Sequence, residues 1–188
     1  GGEHLVSLPA IRAVHEKYPE LCIVHFDAHT DLREDYLGAR LSHATVMRRA
    51  WEIVGDDHIY QFGIRSGERE EFYWAEHHTK LQKFNFTGLE QALAELRDKP
   101  VYFTIDLDVM DPGVFPGTGT PEAGGVSFIE LMQAMFKVIR LQHIVGCDMV
   151  ELSPHYDQSG ASTAAALKLL REMLLGLEKP WLKKPEFI

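Results

Sequence analysis

Acidic and imidazole side chains follow two strongly apolar runs of the chain, one at 21–26 and the other at 100–105. They recur at every second position: Asp27, His29 and Asp31 after the first run, and Asp106 and Asp108 after the second. Because alternate residues of an extended segment share a face, each set can converge on one point. Carboxylates crowded in this way repel one another at low dielectric, so the pattern predicts a bound cation.

The composition of these two sets indicates which metal they suit. Four aspartates with one or two histidines form a hard, oxygen-rich ligand set, which favours Mn²⁺ or Mg²⁺ over Zn²⁺. The set exceeds what one ion needs, so we expect two ions about 3.5 Å apart that lower the pKa of a shared water. A single aspartate is as readily a cap or a turn former, but two spaced clusters argue against that alternative.

Apolar runs alternate with stretches of helical periodicity along the whole chain. Strands are predicted at 21–26, 58–64, 80–86, 100–106 and 143–152. Ser127 and Glu130 have the spacing of a capping box at a helix start, and Thr87 predicts a second box in the same way. The alternation predicts a single α/β domain over 1–188, a three-layer α/β/α sandwich with a mainly parallel sheet. Such sheets bind ligands at the carboxyl ends of their strands, where both acidic sets lie.

Composition excludes several other classes of protein. The net charge of −9, from 28 acidic and 19 basic residues, argues against a basic face that binds nucleic acid. No apolar run approaches the length of about 18 residues that a membrane span needs. Cys22 and Cys147 each lie in an apolar run, which is typical of reduced, buried thiols and predicts a cytoplasmic protein. The tail 179–188 is expected to lie loosely on the surface.

Five motifs occur in an order that resembles the ureohydrolase family of arginases, agmatinases and their relatives. They read DAHTD from 27, SHAT from 42, DLDVMDP from 106, PGTGTPEAGG from 116 and VELSP from 150. The opening GGEH is similar to the first metal motif of that family, and the resemblance covers essentially the whole chain. Bacterial agmatinases look most similar. The resemblance implies an arginase-like fold, two Mn²⁺ per subunit, a homotrimer or homohexamer, and hydrolysis of a small guanidino substrate to urea and an amine.

The resemblance also implies roles for individual residues. The metal ligands would be His4, Asp27, His29, Asp31, Asp106 and Asp108. His43 would pass a proton to the departing amine, Glu151 would pair with the guanidinium, and Asp108 would help to stabilise the tetrahedral intermediate. Two residues depart from the family pattern, since Glu3 stands for the usual Asp and Ala44 for the usual Gly. Family members also carry a segment before the first motif, so we expect this chain to lack an N-terminal portion.

The substrate prediction depends on charge near the first metal motif. Glu34 and Asp35 would repel an α-carboxylate and tolerate an amine, which favours agmatine, cleaved to putrescine and urea, unless Arg33 or Arg40 reverses that preference. An arginase or another guanidino-acid ureohydrolase remains an alternative, as does a non-catalytic fragment with a binding or regulatory role. The rival enzyme class is a deacetylase on a similar fold, which would bind one zinc ion. Three further polar residues are left open: Thr45, Asp111 as a turn former, and Glu122 in a glycine-rich loop near the site. His25 is predicted to be a core residue rather than a ligand.

Overall fold

A five-stranded parallel sheet forms the centre of the computed structural model, which describes residues 1–178. The strands are β1 (Cys22–Phe26), β2 (Ile59–Ile64), β3 (Lys80–Lys83), β4 (Val101–Asp106) and β5 (Ile144–Val150). Their order across the sheet is β3-β2-β1-β4-β5, and every neighbouring pair is parallel. The predicted α/β class and parallel sheet are therefore confirmed. The tail 179–188 lies outside the described residues.

Helices cover both faces of the sheet. They are α1 (Ser7–Lys17), α2 (Val46–Val54), α3 (Arg69–His78), α4 (Leu89–Glu95), α5 (Phe128–Val138) and α6 (Ala161–Glu178). The first three helices share one hydrophobic cluster with the sheet and the last three share the other, which gives three layers. None of the helices described here is both long and apolar enough to span a membrane.

The strands are apolar because both of their faces are covered. On β1, Val24 and Phe26 point into the cluster with α4–α6, while Ile23 points into the cluster with α1–α3. All three side chains have no solvent exposure. At about 25 cal/mol per Å² of buried apolar surface, each contributes on the order of 2 kcal/mol to folding. This packing fixes the register of β1 and thereby the position of the polar residues that follow it.

Three sequence predictions, about two helix starts and one strand end, have different outcomes. The Ser127–Glu130 capping box is present at α5, where both reciprocal contacts form. The prediction of a capping box at Thr87 is wrong, because α4 starts one residue later, after Gly88 at φ 85°. The amide of Thr87 instead donates to Asn85 Oδ1. Strand β3 also ends at Lys83 rather than at 86. The next residue, Phe84, has a φ of 65° and turns the chain away from the sheet.

Candidate metal centre and its pocket

Four of the predicted ligands meet at the carboxyl ends of β1 and β4, which are adjacent strands. His4 Nδ1 lies 3.0 Å from Asp106 Oδ2, 3.2 Å from Asp27 Oδ2 and 3.3 Å from Asp31 Oδ2. His4 belongs to a 3₁₀ turn at His4–Val6, just before α1, and is fully buried. The structure thus brings the first residues of the chain to the ends of two central strands.

The other two predicted ligands form a second group beside the first. His29 Nδ1 lies 3.0 Å from Asp108 Oδ2 and 3.4 Å from Asp27 Oδ1. Asp27 therefore gives one carboxylate oxygen to each group, and the two groups share it. All six residues that the sequence selected lie together in this one cluster, whose carboxylates are buried.

The orientation of His4 shows that the first group fits a cation. Thr104 Oγ1 donates its only proton to Asp148 Oδ1 at 2.6 Å, so it accepts from His4 Nε2 at 3.0 Å. The other ring nitrogen, Nδ1, then directs its lone pair at three carboxylate oxygens. It is buried and has no hydrogen-bond partner among the residues described. A lone pair facing three carboxylates requires a proton or a metal ion between them.

The pKa shifts of the clustered residues also show that the cluster favours bound positive charge. Burial, with the nearby Asp27 carboxylate, raises the pKa of Asp31 to about 7. Burial also raises the pKa of Asp106 and Asp108, with help from neighbouring carboxylates. Burial opposes charge on His29, but contacts with Asp108 and Asp27 outweigh it and raise the pKa to about 12. Protons are therefore held in the cluster when no metal is bound, and a metal ion must displace them.

A buried glutamate on α3 holds the loop that carries Asp31. Glu71 Oε1 accepts from Thr30 Oγ1 at 2.5 Å and from Leu32 N at 3.0 Å. Asp31 between them has a φ of 54°, in the left-handed region that costs energy for a residue other than glycine. Its carbonyl accepts from the amides of Met47 and Arg48, in the first turn of α2. Glu71 was not predicted from the sequence, although its spacing from Glu68 is that of a capping pair.

An arginine that the sequence analysis also missed ties three loops together behind the cluster. The guanidinium of Arg65, just after β2, donates to the carbonyl oxygens of Asp108 at 2.8 Å and Glu122 at 2.7 Å. Longer contacts reach the carbonyls of Gly63, Val109, Met110 and Ala123. Apart from Gly63, these acceptors lie 43 to 58 residues from Arg65 in the sequence. Local spacing therefore could not predict these hydrogen bonds.

A pocket of about 400 Å³ opens in front of the cluster. Its wall includes His43 and Glu151, the two residues predicted to act on the substrate. Glu151 has a φ of 64°, and its Oε1 accepts from the backbone N–H of His4 at 2.6 Å. Burial raises its pKa. His43 starts the 3₁₀ turn before α2 and lies 3.5 Å from Glu3 Oε2, measured from Nδ1.

The prediction that Glu34 and Asp35 set the charge beside the substrate is wrong. Glu34 pairs with Arg48 at 3.1 Å, and Asp35 accepts from Gly38 N within its own turn. Neither is among the residues that line the pocket, although their neighbours Arg33 and Tyr36 are. Arg33 does line the pocket, where its Nη1 lies 3.1 Å from Glu68 Oε1.

The residues left open by the sequence divide into structural and pocket positions. Asp111 accepts from the amides of Gly113, Gly124 and Gly125, as a turn former would. Thr45 completes the reciprocal cap with Ser42. Glu122 lines the pocket and accepts from Ser66 Oγ at 2.9 Å. His25 is fully buried in β1, yet it contacts Asp27 and so belongs to the surroundings of the cluster.

Parallel strands that end in a shared histidine and carboxylate cluster define an α/β protein with a candidate two-metal centre. The chain belongs to the arginase family, which its residues 1–176 match. It is 50% identical over 182 residues to an agmatinase of Bacillus subtilis (strain 168), covering 95% of this chain and 63% of that protein. A guanidinobutyrase of Pseudomonas aeruginosa is 37% identical over 186 residues, 93% of this chain and 58% of that one.

A solved structure supports the same family assignment. The agmatine ureohydrolase of Thermoplasma volcanium superposes with a TM-score of 0.84 at 33% sequence identity, covering 96% of this chain and 62% of that one. The chain therefore spans less than two thirds of each of these relatives.

Proposed function

We propose that the protein is a metal-dependent ureohydrolase, which cleaves a guanidinium to urea and an amine. The observation that carries this proposal is the sharing of Asp27 between two ligand groups at the floor of a pocket that also contains Glu151. Two adjacent cation sites beside a carboxylate suit a planar, positively charged substrate whose carbon is a poor electrophile.

Two hard divalent cations fit this ligand set, and Mn²⁺ is the metal that we propose. His4 and Asp31 would hold one ion and His29 and Asp108 the other, with Asp27 between them and Asp106 beside His4. When bound, such ions supply a water of lowered pKa as a nucleophile at neutral pH. The oxygen-rich composition of the set favours manganese or magnesium over zinc.

Side chains around the pocket would bind the substrate and move its protons. Glu151 already accepts one backbone N–H, and its carboxylate would orient the guanidinium by charge-assisted hydrogen bonds. Asp108 Oδ1 accepts from the amide of Ala28 at 3.2 Å, and the Asp108 carboxylate would help to stabilise the tetrahedral intermediate. His43 is partly exposed at the pocket wall, where its imidazole would protonate the leaving amine.

Agmatine is the proposed substrate, because the pocket wall carries more negative than positive charge. Arg33 contributes a positive charge to the pocket wall. Its guanidinium lies 3.1 Å from the carboxylate of Glu68 and 3.6 Å from that of Glu71. This pairing neutralises the guanidinium and leaves a negative surface for a distal ammonium group. Arg33 also supports the second candidate, a guanidino acid, since release from Glu68 would let it bind a carboxylate.

Urea release measured with each candidate substrate tests both the proposed ureohydrolase activity and the proposed substrate. The intact protein, loaded with Mn²⁺, is expected to release urea from agmatine faster than from arginine or 4-guanidinobutyrate. Glu68→Gln should raise the KM for agmatine several-fold and affect the guanidino acids less. A preference for a guanidino acid would contradict the substrate assignment alone.

Metal content separates the ureohydrolase from the other classes. Two manganese ions per chain, with no urea from any guanidine, would indicate a binding or regulatory protein instead. One zinc ion per chain with deacetylation of an acetylated amine would support the rival enzyme class. The trimeric or hexameric assembly stays a prediction, which light scattering of the purified protein can check.

A further inference from the structure

Four polar residues form a row across the sheet just beneath the metal-ligand cluster. Strand register places Gln61 of β2, His25 of β1, Thr104 of β4 and Asp148 of β5 next to one another. The first three are fully buried on the face that α1–α3 cover. Buried polar groups on a sheet face are costly unless they are hydrogen-bonded, so their partners indicate what the row does.

On the β2 side of the row, the hydrogen bonds start at a carbonyl oxygen, which can only accept a hydrogen bond. The carbonyl oxygen of Thr30 lies 2.8 Å from Gln61 Nε2, which fixes the orientation of this amide. Thr79 Oγ1, which donates to Gln61 Oε1 at 3.1 Å, fixes it in the same sense. The second proton of the Gln61 amide then points at His25 Nδ1, 3.1 Å away.

This orientation of Gln61 determines which nitrogen of His25 carries a proton. Since Nδ1 accepts from Gln61, the neutral ring carries its proton on Nε2. That nitrogen lies 2.7 Å from Asp27 Oδ2 and donates to it. The opposite oxygen, Asp27 Oδ1, accepts from the backbone N–H of His29 at 2.6 Å. Both oxygens of the shared carboxylate are therefore held, and the carboxylate cannot rotate.

We propose that His25 and Gln61 are positioning residues, which hold the Asp27 carboxylate so that it serves both cation sites at once. The inference rests on the proposed metal centre and concerns residues outside its ligand set. Because each ligand group takes a different oxygen of Asp27, rotation of an unrestrained carboxylate would remove an oxygen from one of the two sites. Loss of partners that orient metal ligands typically lowers metal affinity by about 10- to 100-fold.

Two substitutions of similar size separate positioning from packing. His25→Met fills the core without a donor, whereas His25→Gln keeps an N–H near the position of Nε2. By calorimetry with Mn²⁺ on the intact protein, we expect His25→Met to weaken binding about 10- to 100-fold and His25→Gln to restore most of it. Tyr60→Phe removes a hydroxyl from the neighbouring position of β2, on the other face, and should leave manganese affinity unchanged.

A spectroscopic measurement tests the proton position directly. In metal-free protein with ¹⁵N-labelled histidine, His25 should show a protonated Nε2 and an unprotonated Nδ1. Gln61→Met should mix the two tautomers and weaken manganese binding several-fold, and this variant also serves if His25→Met does not fold.

Equal manganese affinity in His25→Met, His25→Gln and the wild type would overturn the positioning role while leaving the metal centre intact. A proton on Nδ1 in the wild type would overturn it as well. Failure of the wild type to bind any manganese would instead remove the metal centre on which the inference rests.

Discussion

At the scale of single residues, the site combines shared ligands with strained backbone. Asp31 and Glu151 both have positive φ angles, 54° and 64°, although neither is glycine. Each such residue costs about 1–3 kcal/mol and persists where its surroundings hold it firmly. Asp31 is held by the loop contacts of Glu71, and Glu151 by the amide of His4. The same contacts that fix these conformations aim both carboxylates toward the cluster.

Replacement of Glu151 by glutamine tests the role of its charge. The amide oxygen can still accept from His4 N, so the backbone contact and the fold should be preserved. Loss of the charge should weaken guanidinium binding, and we expect kcat/KM for urea release to fall by roughly 100-fold, or about 2.7 kcal/mol. Manganese content should stay at the wild-type value. Wild-type kcat/KM in Glu151→Gln would show that this carboxylate does not bind the guanidinium.

At the scale of elements, loops after the strand ends determine the geometry of the site. The segment after β4 carries Asp108, the glycine-rich loop carries Glu122, and Arg65 after β2 binds the carbonyl oxygens of both. Gly125 fits this arrangement because a Cβ there would lie 2.7 Å from the Arg65 guanidinium. The loops therefore behave as one unit with the end of β2.

Substitution of Arg65 should loosen that unit. Arg65→Met leaves several carbonyl oxygens without their donor, and we expect the free energy of unfolding to drop by about 3 kcal/mol. Arg65→Lys, with a single charged group, should recover only part of that loss. Urea denaturation of both variants measures this, with Arg69→Met as an exposed control. A loss of unfolding free energy in Arg65→Met no larger than that in the control would contradict the role of Arg65 in holding these loops together.

At the scale of the whole molecule, the cluster couples metal binding to pH. The pKa of Asp31 rises to about 7 and that of His29 to about 12, so the metal-free folded protein holds these protons more tightly than the unfolded chain. Stability from these protons is present at low pH and is lost as pH rises, from about pH 4 to 7 for Asp31 and above about 6.5 for His29. Metal binding needs deprotonated ligands and so strengthens over the same range.

The increase in Tm on adding Mn²⁺ should therefore grow with pH. We expect a small increase near pH 5.5 and a much larger one near pH 8, because fewer protons compete with the metal at the higher pH. Scanning calorimetry with and without Mn²⁺ measures the difference. Mg²⁺ provides a comparison with a second hard cation. An increase that is constant or shrinks toward pH 8 would mean that the clustered carboxylates and histidines are not the groups that bind the ion.

Local patterns along the chain were enough to predict the alternation of strands and helices and the chemistry of the ligand set. Apolar runs buried on both faces identify strands, and the two-residue spacing of Asp27, His29 and Asp31 places their side chains together. Both signals are local, so no knowledge of distant contacts was needed. Where local signals competed, as at Thr87 and at the end of β3, prediction failed.

The way in which separate segments meet depends on long-range packing and could not be predicted from local patterns. The division of Asp27 between two groups, the pairing of Gln61 with His25 and the clamp of Arg65 each depend on strand register or on loops far apart in the chain. Likewise, Arg33 lines the pocket whereas its neighbour Glu34 pairs with Arg48 on α2. These features follow from how helices pack on both faces of the sheet, because that packing sets the register and the loop positions together.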